Sequence, residues 1–227
     1  MRASIILAGA VLPLLATPAQ AQSARDLIFQ SAFGNQNQPV ALERVRRAQA
    51  SAAAIAQRDP NAEDAVVMVA AAQGYIAKLT GNRSEALKAR GLFNTAATRF
   101  PRNAEAQLGM GAWHLSVVHR AGRLLGAVIG ANKGKGIAGL TRAVTLGRDR
   151  AFIPSVAGMM LIESDPNDAQ GRSWLELAAR TPAPTAPDRV VQRAAGQVLQ
   201  LLRTGDTAGA ARLADRSLPF GWFQPKD

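Results

Sequence analysis

Apolar residues recur along the chain at steps of three and four, the spacing that places them on one face of an α-helix. Strict alternation of apolar and polar residues, which is typical of a half-buried strand, is nearly absent. One helical stripe consists of Ala65, Val69, Ala72, Ile76 and Leu79. Similar stripes follow it almost to the end of the chain, so the pattern predicts an all-α fold of roughly nine or ten helices joined by short turns.

The breaks between the stripes carry residues that start and stop helices. Asp59-Pro60-Asn61 and Asp165-Pro166-Asn167 each place a capping side chain before a new apolar run. Asp64 and Asp168 follow in the first turns, where a negative charge suits the positive end of a helix dipole. These segments therefore predict helix boundaries.

The paired runs carry residues that resemble those of tetratricopeptide (TPR) repeats. In the pair from Asn61 to Pro101, Ala77 stands where the first helix of a repeat has a small residue. The small, aromatic, small and proline positions of the second helix are matched by Ala89, Phe93, Ala96 and Pro101. The next pair has Leu108-Gly109 and Trp113 at the family's Leu-Gly and large aromatic positions.

A third pair and a short last unit extend the resemblance over most of the chain. The third pair contributes Ala157-Gly158, Ala169, Trp174, Ala178 and Pro182, and residues 205–210 resemble the turn and second helix of a last unit. The spacing from Pro60 to Pro101 is 41 residues, against a family period of about 34. The chain therefore resembles a TPR-like protein with degenerate repeats.

The resemblance implies antiparallel helical hairpins stacked as an α-solenoid, a right-handed superhelix with a concave binding surface. It also implies a protein-binding or adaptor role, and some exported TPR-like relatives are subunits associated with solute transporters. The tail Pro219-Phe220-Gly221-Trp222-Phe223 is expected to cover the open end of the solenoid.

The first 21 residues have the pattern of a cleaved signal peptide. Arg2 provides a positive charge, residues 5–16 are largely apolar, and Ala19-Gln20-Ala21 presents small residues at the positions that a signal peptidase reads. The apolar stretch is well short of the roughly 20 residues of a membrane-spanning helix. We expect cleavage after Ala21, which leaves residues 22–227 as one soluble domain in a bacterial periplasm.

The composition excludes several kinds of chemistry. The 227 residues include no cysteine, which excludes disulfides, thiolate zinc sites and a cysteine nucleophile. The segment from Gly134 to Gly139 formally matches the dinucleotide pattern G-x-G-x-x-G, but no repeated βαβ unit surrounds it. We interpret it as a flexible turn before a helix and expect no cofactor, because the periplasm holds no nucleotide pool.

No motif of a known catalytic or metal site is present in the sequence. His114 and His119 are the only histidines, and five helical residues place them about 140° apart, so they do not form a metal-binding pair. Each is expected to be partly buried or to face a partner. G-x-S-x-G, H-E-x-x-H and Ser-x-x-Lys are all absent. We therefore expect no metal and no catalytic activity.

Charge is distributed unevenly along the chain, whose formal net charge is +11. No acidic residue lies between Glu105 and Asp149, and a basic, glycine-rich insertion at about residues 119–136 falls in this stretch. Such a stretch attracts anionic partners. The predicted partner-binding residues are Arg120, Arg123, Lys133, Lys135 and His114.

These observations predict a periplasmic adaptor that engages another protein or peptide, with an acidic surface as the expected partner. Nucleic acid is not expected, because the chain is exported and no aromatic platform is interleaved with the basic residues. The alternatives are a peripheral module that binds anionic lipid or glycan, a transporter-associated subunit, and an unrecognised hydrolase. A deep pocket with strongly shifted titration at Glu163, Asp168 or His114 would favour the hydrolase.

Overall fold

The computed structural model describes residues 23–34 and 37–223, except for the side chains of Ala121, Arg123 and Leu125. The predicted signal peptide, residues 1–21, lies outside the described residues.

The described residues form ten α-helices and no strand, which confirms the all-α prediction. The helices are α1 (Ala24–Phe33), α2 (Gln38–Arg58), α3 (Glu63–Thr80), α4 (Arg83–Arg99), α5 (Ala104–Val128), α6 (Lys133–Leu146), α7 (Phe152–Ser164), α8 (Ala169–Arg180), α9 (Ala186–Arg203) and α10 (Thr207–Ser217). None of these helices is long and apolar enough to cross a lipid bilayer.

The predicted breaks lie at helix boundaries. Asp168 caps α8 by accepting a hydrogen bond from the Gly171 amide at 2.7 Å. Asp59 and Asp165 instead end α2 and α7, and each carboxylate accepts a 2.9 Å hydrogen bond from the amide two residues further on. These two aspartates therefore shape the turn, and they do not cap the following helix as predicted.

Each helix packs against the next one along the chain, which is the arrangement of successive antiparallel hairpins. Alternate helices also touch: α3 contacts α5, and α5 contacts α7. At the ends of the array, α1 packs on α2 and α3, while α10 returns to α7. The odd-numbered helices α3, α5 and α7 thus lie side by side.

Glycine lets the two helices of a hairpin approach closely. A Cβ on Gly139 of α6 would lie 2.8 Å from the Cα of Gly111 of α5, a distance that real side chains do not adopt. The predicted flexible turn at residues 134–139 is therefore wrong: Asn132 caps α6 and these glycines lie within it. Gly136 and Gly139 allow close packing of α6 on α5, which a larger residue would prevent.

The C-terminal tail joins the two ends of the array. Phe220 is fully buried in the N-terminal core, where its ring lies 4.7 Å from that of Tyr75. The Phe220 amide and the Trp222 indole both donate hydrogen bonds to the Ala32 carbonyl, at 3.3 and 3.0 Å. The sequence predicts a tail that covers an open end of the array, and the structure places Phe220 and Trp222 against α1, the first helix, and against Tyr75 of α3.

Helix α5 is interrupted at Gly122, whose φ of 74° and ψ of 168° are not helical. The predicted insertion at residues 119–136 is therefore the end of α5, this kink, a short helical stretch to Val128, a turn and the first residues of α6. We call residues 122–130 the kinked segment.

Candidate functional site

A cavity of about 570 Å³ lies among the odd-numbered helices. Its walls come mainly from α1, α3, α5 and α7, with further residues from α4, the start of α9, the α3–α4 turn, the kinked segment and the C-terminal tail. This volume is in the range of sites that hold a small organic molecule.

The wall of the cavity is mostly apolar. On α3 the residues that line it are spaced by three and four positions, so one face of that helix is turned toward the space. Several lining positions hold small residues, including Ala71, Gly74 and Ala112. Larger side chains such as Phe29, Met68 and Phe93 surround them. Small residues on facing helices leave the room that the cavity occupies.

A chain of ion pairs lies at the N-terminal ends of the odd-numbered helices. Arg25 of α1 binds both carboxylate oxygens of Glu105 at 2.9 Å and also pairs with Asp64 of α3. Arg150, just before α7, binds Glu105 at 3.0 Å and Asp188 of α9 at 3.3 Å. We call these five alternating charges the ion-pair rim. It brings together five odd-numbered helices through residues that are distant in sequence.

Asp188 anchors one end of this rim. Its carboxylate is fully buried and accepts hydrogen bonds from the Thr185 amide at 3.0 Å and from the Phe152 amide at 3.2 Å. Burial opposes the charge, but the hydrogen bonds of Thr185 and the charge of Arg150 outweigh it and lower the pKa of Asp188. Asp188 therefore stays ionised and fixes the start of α9 to the start of α7.

The opposite ends of the same helices form a second polar edge, which we call the tail rim. Lys78 lies in the last turn of α3, and its Nζ donates a 2.8 Å hydrogen bond to the Pro219 carbonyl of the tail. His119 and Arg120 lie near the end of the straight part of α5, and Glu163 lies near the end of α7. His119 Nε2 is 3.3 Å from the Glu163 carboxylate.

The ionisable groups of the tail rim are strongly perturbed. Burial and the nearby Asp215 carboxylate raise the pKa of Glu163 to about 7, although Lys78 and Arg120 act in the opposite direction. Burial, together with the charge of Arg120, lowers the pKa of Lys78 to about 8. Within the described residues, Arg120 has no hydrogen bond and no ion pair at contact distance. The tail rim therefore has N–H groups, on Lys78 and Arg120, that are not all hydrogen-bonded within the described part of the protein.

The predicted partner-binding residues lie in three different environments. Arg120 lines the cavity at the tail rim, while Lys133 and Lys135 are exposed in the first turn of α6. His114 is only 3 % exposed, and its Nδ1 accepts a 3.3 Å hydrogen bond from the Asn132 amide. The side chain of Arg123 lies outside the part of the protein that the structure describes. His114 offers no surface to a partner in this conformation, so the surface prediction depends on the arginines and lysines.

Sequence reasoning missed Lys78, Arg25 and Glu105 as residues of the site. One signal for Lys78 exists: it is the only charged residue between Asp64 and Arg83. No local signal exists for the Arg25–Glu105 pair, whose members are 80 positions apart. Glu163 and Asp168, both candidate residues of the hydrolase alternative, have different roles: Glu163 lines the cavity, whereas Asp168 caps α8.

In the part of the chain that the structure describes, no three His, Asp or Glu side chains are grouped so as to hold a metal ion. Comparison of the chain with family models, with curated proteins and with solved structures finds no match.

Proposed function

We propose that this protein is a non-catalytic binding module of the TPR-like class that holds an elongated, mostly apolar ligand with a polar end. The observation that carries the proposal is the apolar cavity of about 570 Å³ among the odd-numbered helices. Concave, largely apolar spaces with a few polar groups at one place are the usual form of small-molecule sites.

The TPR-like class is supported by the packing of successive hairpins and by the contacts between alternate helices. Two residues that resemble the family's positions, Phe93 and Trp113, are buried at the contact of α4 with α5. They also line the cavity. The same residues that hold neighbouring hairpins together thus form part of its wall.

The two rims suggest how a ligand would lie in the cavity. At the ion-pair rim Arg25, Glu105 and Arg150 are already paired with one another, so they offer little to a ligand. At the tail rim Lys78 and Arg120 have donors to spare. The ligand would therefore place its apolar body among α1, α3 and α5 and its polar end at the tail rim.

The acidic protein partner predicted from the sequence would use a different surface. Lys133 and Lys135 are exposed on α6 and do not line the cavity. A protein partner on these lysines would be displaced by salt, whereas an apolar ligand inside the cavity would not. We propose a periplasmic location for either ligand, on the basis of the signal-peptide pattern.

Filling the cavity tests the proposal. Ser116 lines the cavity and is exposed. Ser116→Trp therefore places a large ring in the cavity without disturbing the core. We expect roughly tenfold weaker binding of the neutral fluorescent probe N-phenyl-1-naphthylamine, because the space is no longer free. The matched control is Ser51→Trp, at an exposed position of α2 outside the cavity. Equal probe binding by both variants would refute the proposal.

A hydrolase is the second candidate function, because the pKa of Glu163 is raised to about 7 inside the cavity. His119 lies 3.3 Å from this carboxylate. Binding remains the better supported function, since among the described residues no serine or threonine hydroxyl is hydrogen-bonded to His119. Turnover of p-nitrophenyl esters that Glu163→Gln abolishes would establish the hydrolase. Absence of turnover with probe binding retained supports the binding module.

A further inference from the structure

We propose that the kinked segment, residues 122–130, docks the protein onto an anionic lipid surface. The proposal concerns the exposed side of this segment, whose Val128 also lines the cavity, as does the neighbouring Arg120. It does not depend on which ligand the cavity holds. Four observations carry it: two exposed apolar side chains, an anchored backbone, flanking cations and the small size of the patch.

Two of the four exposed large apolar side chains among the described residues lie in the kinked segment. Leu124 is 87 % exposed and Val128 is 69 % exposed, while the two other exposed large apolar side chains, Ile55 and Leu87, are at 44 % and 36 %. Leu124 and Val128 are four residues apart on a helical stretch, so they point to the same side. Together they form one apolar turn that no described part of the protein covers.

The backbone behind this turn is held in place. Arg90 of α4 donates a 2.6 Å hydrogen bond to the Ile129 carbonyl, and the Ala131 amide donates to the Gly126 carbonyl at 2.9 Å. Ile129 and Ala131 pack with Phe93 and Trp113. Since one side of the segment is anchored in the fold, the opposite side presents Leu124 and Val128 outward.

Cations flank the apolar turn on both sides. Arg120 precedes the kink, and Lys133 and Lys135 follow the segment; all three are exposed. No acidic residue occurs between Glu105 and Asp149 to neutralise them locally in sequence. Apolar side chains between exposed cations are complementary to a bilayer that carries anionic headgroups, because the side chains enter the interface while the cations stay at the headgroups.

The size of the patch favours a lipid surface over a protein. A specific protein interface buries about 800 Å² on each partner, far more than one helical turn supplies. Shallow insertion into a bilayer needs no shaped partner surface, and its strength comes from the apolar side chains together with the attraction of the cations. An anionic bilayer is therefore the occupant that these residues fit.

The absence of cysteine from the chain makes a site-specific probe possible. Ala127→Cys, on the kinked segment, would carry an environment-sensitive nitrobenzoxadiazole label while Leu124 and Val128 stay intact. Ala54→Cys, at an exposed position of α2, is the matched control. Full-chain protein is titrated with vesicles of phosphatidylglycerol and phosphatidylcholine, and with vesicles of phosphatidylcholine alone. The N-terminal apolar stretch is common to both proteins, so the difference between labels reports the segment.

We expect a blue shift and a gain of fluorescence from the label at residue 127 with phosphatidylglycerol vesicles, and none from the label at residue 54. The response should fall as salt is raised, because the Debye length shortens from about 10 Å at 0.1 M to about 3 Å at 1 M. An equal response from both labels, or a response that is the same without phosphatidylglycerol, would overturn the proposal.

Variants of the labelled protein separate the two contributions. Leu124→Ser with Val128→Ser should weaken vesicle binding roughly tenfold, and Lys133→Glu with Lys135→Glu should weaken it to a similar extent at low salt. Ile55→Ser is the control for removal of an exposed apolar side chain. Circular dichroism checks that each variant is folded. If the folded double-serine variant binds like the parent, the kinked segment is not the docking element.

Discussion

The two rims of the cavity are built from opposite ends of the same helices, yet they are stabilised in different ways. At the ion-pair rim, Glu105 binds both Arg25 and Arg150, and every member of the chain has a partner of opposite charge. At the tail rim, Lys78 donates a hydrogen bond to a backbone carbonyl, and the pKa of Glu163 is raised. The comparison indicates that the first rim holds the helices in register, while the second carries the charged groups to which we assign the polar end of the proposed ligand.

The helix dipoles explain part of this difference. Asp64, Glu105 and Asp188 lie in the first turns of α3, α5 and α9, where a negative charge is favourable. Glu163 lies near the C-terminal end of α7, where a negative charge is unfavourable. The direction of the raised Glu163 pKa agrees with this position, although burial is its main cause.

The largest expected effect is at the tail. Phe220→Ala removes a fully buried ring from the N-terminal core, and we expect a loss of about 4 kcal/mol in the free energy of unfolding. Urea unfolding followed by circular dichroism measures it. Ile55→Ala, on the exposed side of α2, is the control and should cost far less. A small loss for Phe220→Ala would mean that the tail rim does not depend on the tail.

The ion-pair rim should be the next most sensitive. Asp188→Ala leaves Arg150 and the Thr185 and Phe152 amides without their buried carboxylate, and we expect a loss of about 3 kcal/mol. Asp206→Ala removes an exposed helix-capping carboxylate from α10 and should cost about 1 kcal/mol. The same urea titration measures both. Equal losses would show that the ion-pair rim contributes no more than an ordinary cap.

Glu163 should make stability depend on pH. Its pKa rises from 4.5 to about 7 on folding, so the folded protein binds a proton that the unfolded chain has released between these values. The stabilisation is therefore full below pH 4.5 and is lost as pH rises through 7. From pH 5 to pH 8 this amounts to about 2 kcal/mol.

Glu163→Gln should remove this dependence, because the amide does not ionise. Thermal unfolding at pH 5 and pH 8 measures it: the variant should gain stability relative to the parent as the pH rises. Glu176→Gln, at an exposed position of α8, is the control and should leave the pH profile unchanged. A parallel profile for parent and Glu163→Gln would refute the assignment.

The smallest expected change in stability is at Arg120, and it is best seen by comparison with Arg150. Arg120→Met at the tail rim removes a guanidinium that has no ion pair at contact distance among the described residues, so stability should change by less than about 0.5 kcal/mol. Arg150→Met at the ion-pair rim breaks contacts to Glu105 and Asp188 and should cost about 2 kcal/mol. Similar losses from the two substitutions would remove the distinction between the rims.

The sequence predicts the helices well, because their signals are local. The stripe from Ala65 to Leu79 lies within α3, while Asp168, expected in the first turn of α8, lies one position earlier and caps that helix. The rims were not predictable, since Arg25 and Glu105 are 80 positions apart and Lys78 binds Pro219 across 141. Such pairs depend on how distant helices pack against one another, which no local pattern encodes.

The position of a turn within the series of hairpins is equally hard to predict from the sequence. The turns at Asp59-Pro60-Asn61 and Asp165-Pro166-Asn167 have the same sequence and the same 2.9 Å hydrogen bond. One joins α2 to α3 and the other joins α7 to α8, so the first enters an odd-numbered helix and the second leaves one. Identical turn chemistry therefore marks different places in the array.

The packing of Phe220 beside α1 has a consequence for how the protein unfolds. A linear stack of hairpins loses its terminal units first, because each end has a neighbour on one side only. Here the hydrogen bonds of Phe220 and Trp222 to Ala32 tie the last residues of the stack to its first helix. Neither end can fray without breaking the contact that secures the other. Unfolding should therefore be a single cooperative transition, with amide exchange protection as high in α1 as in the central helices.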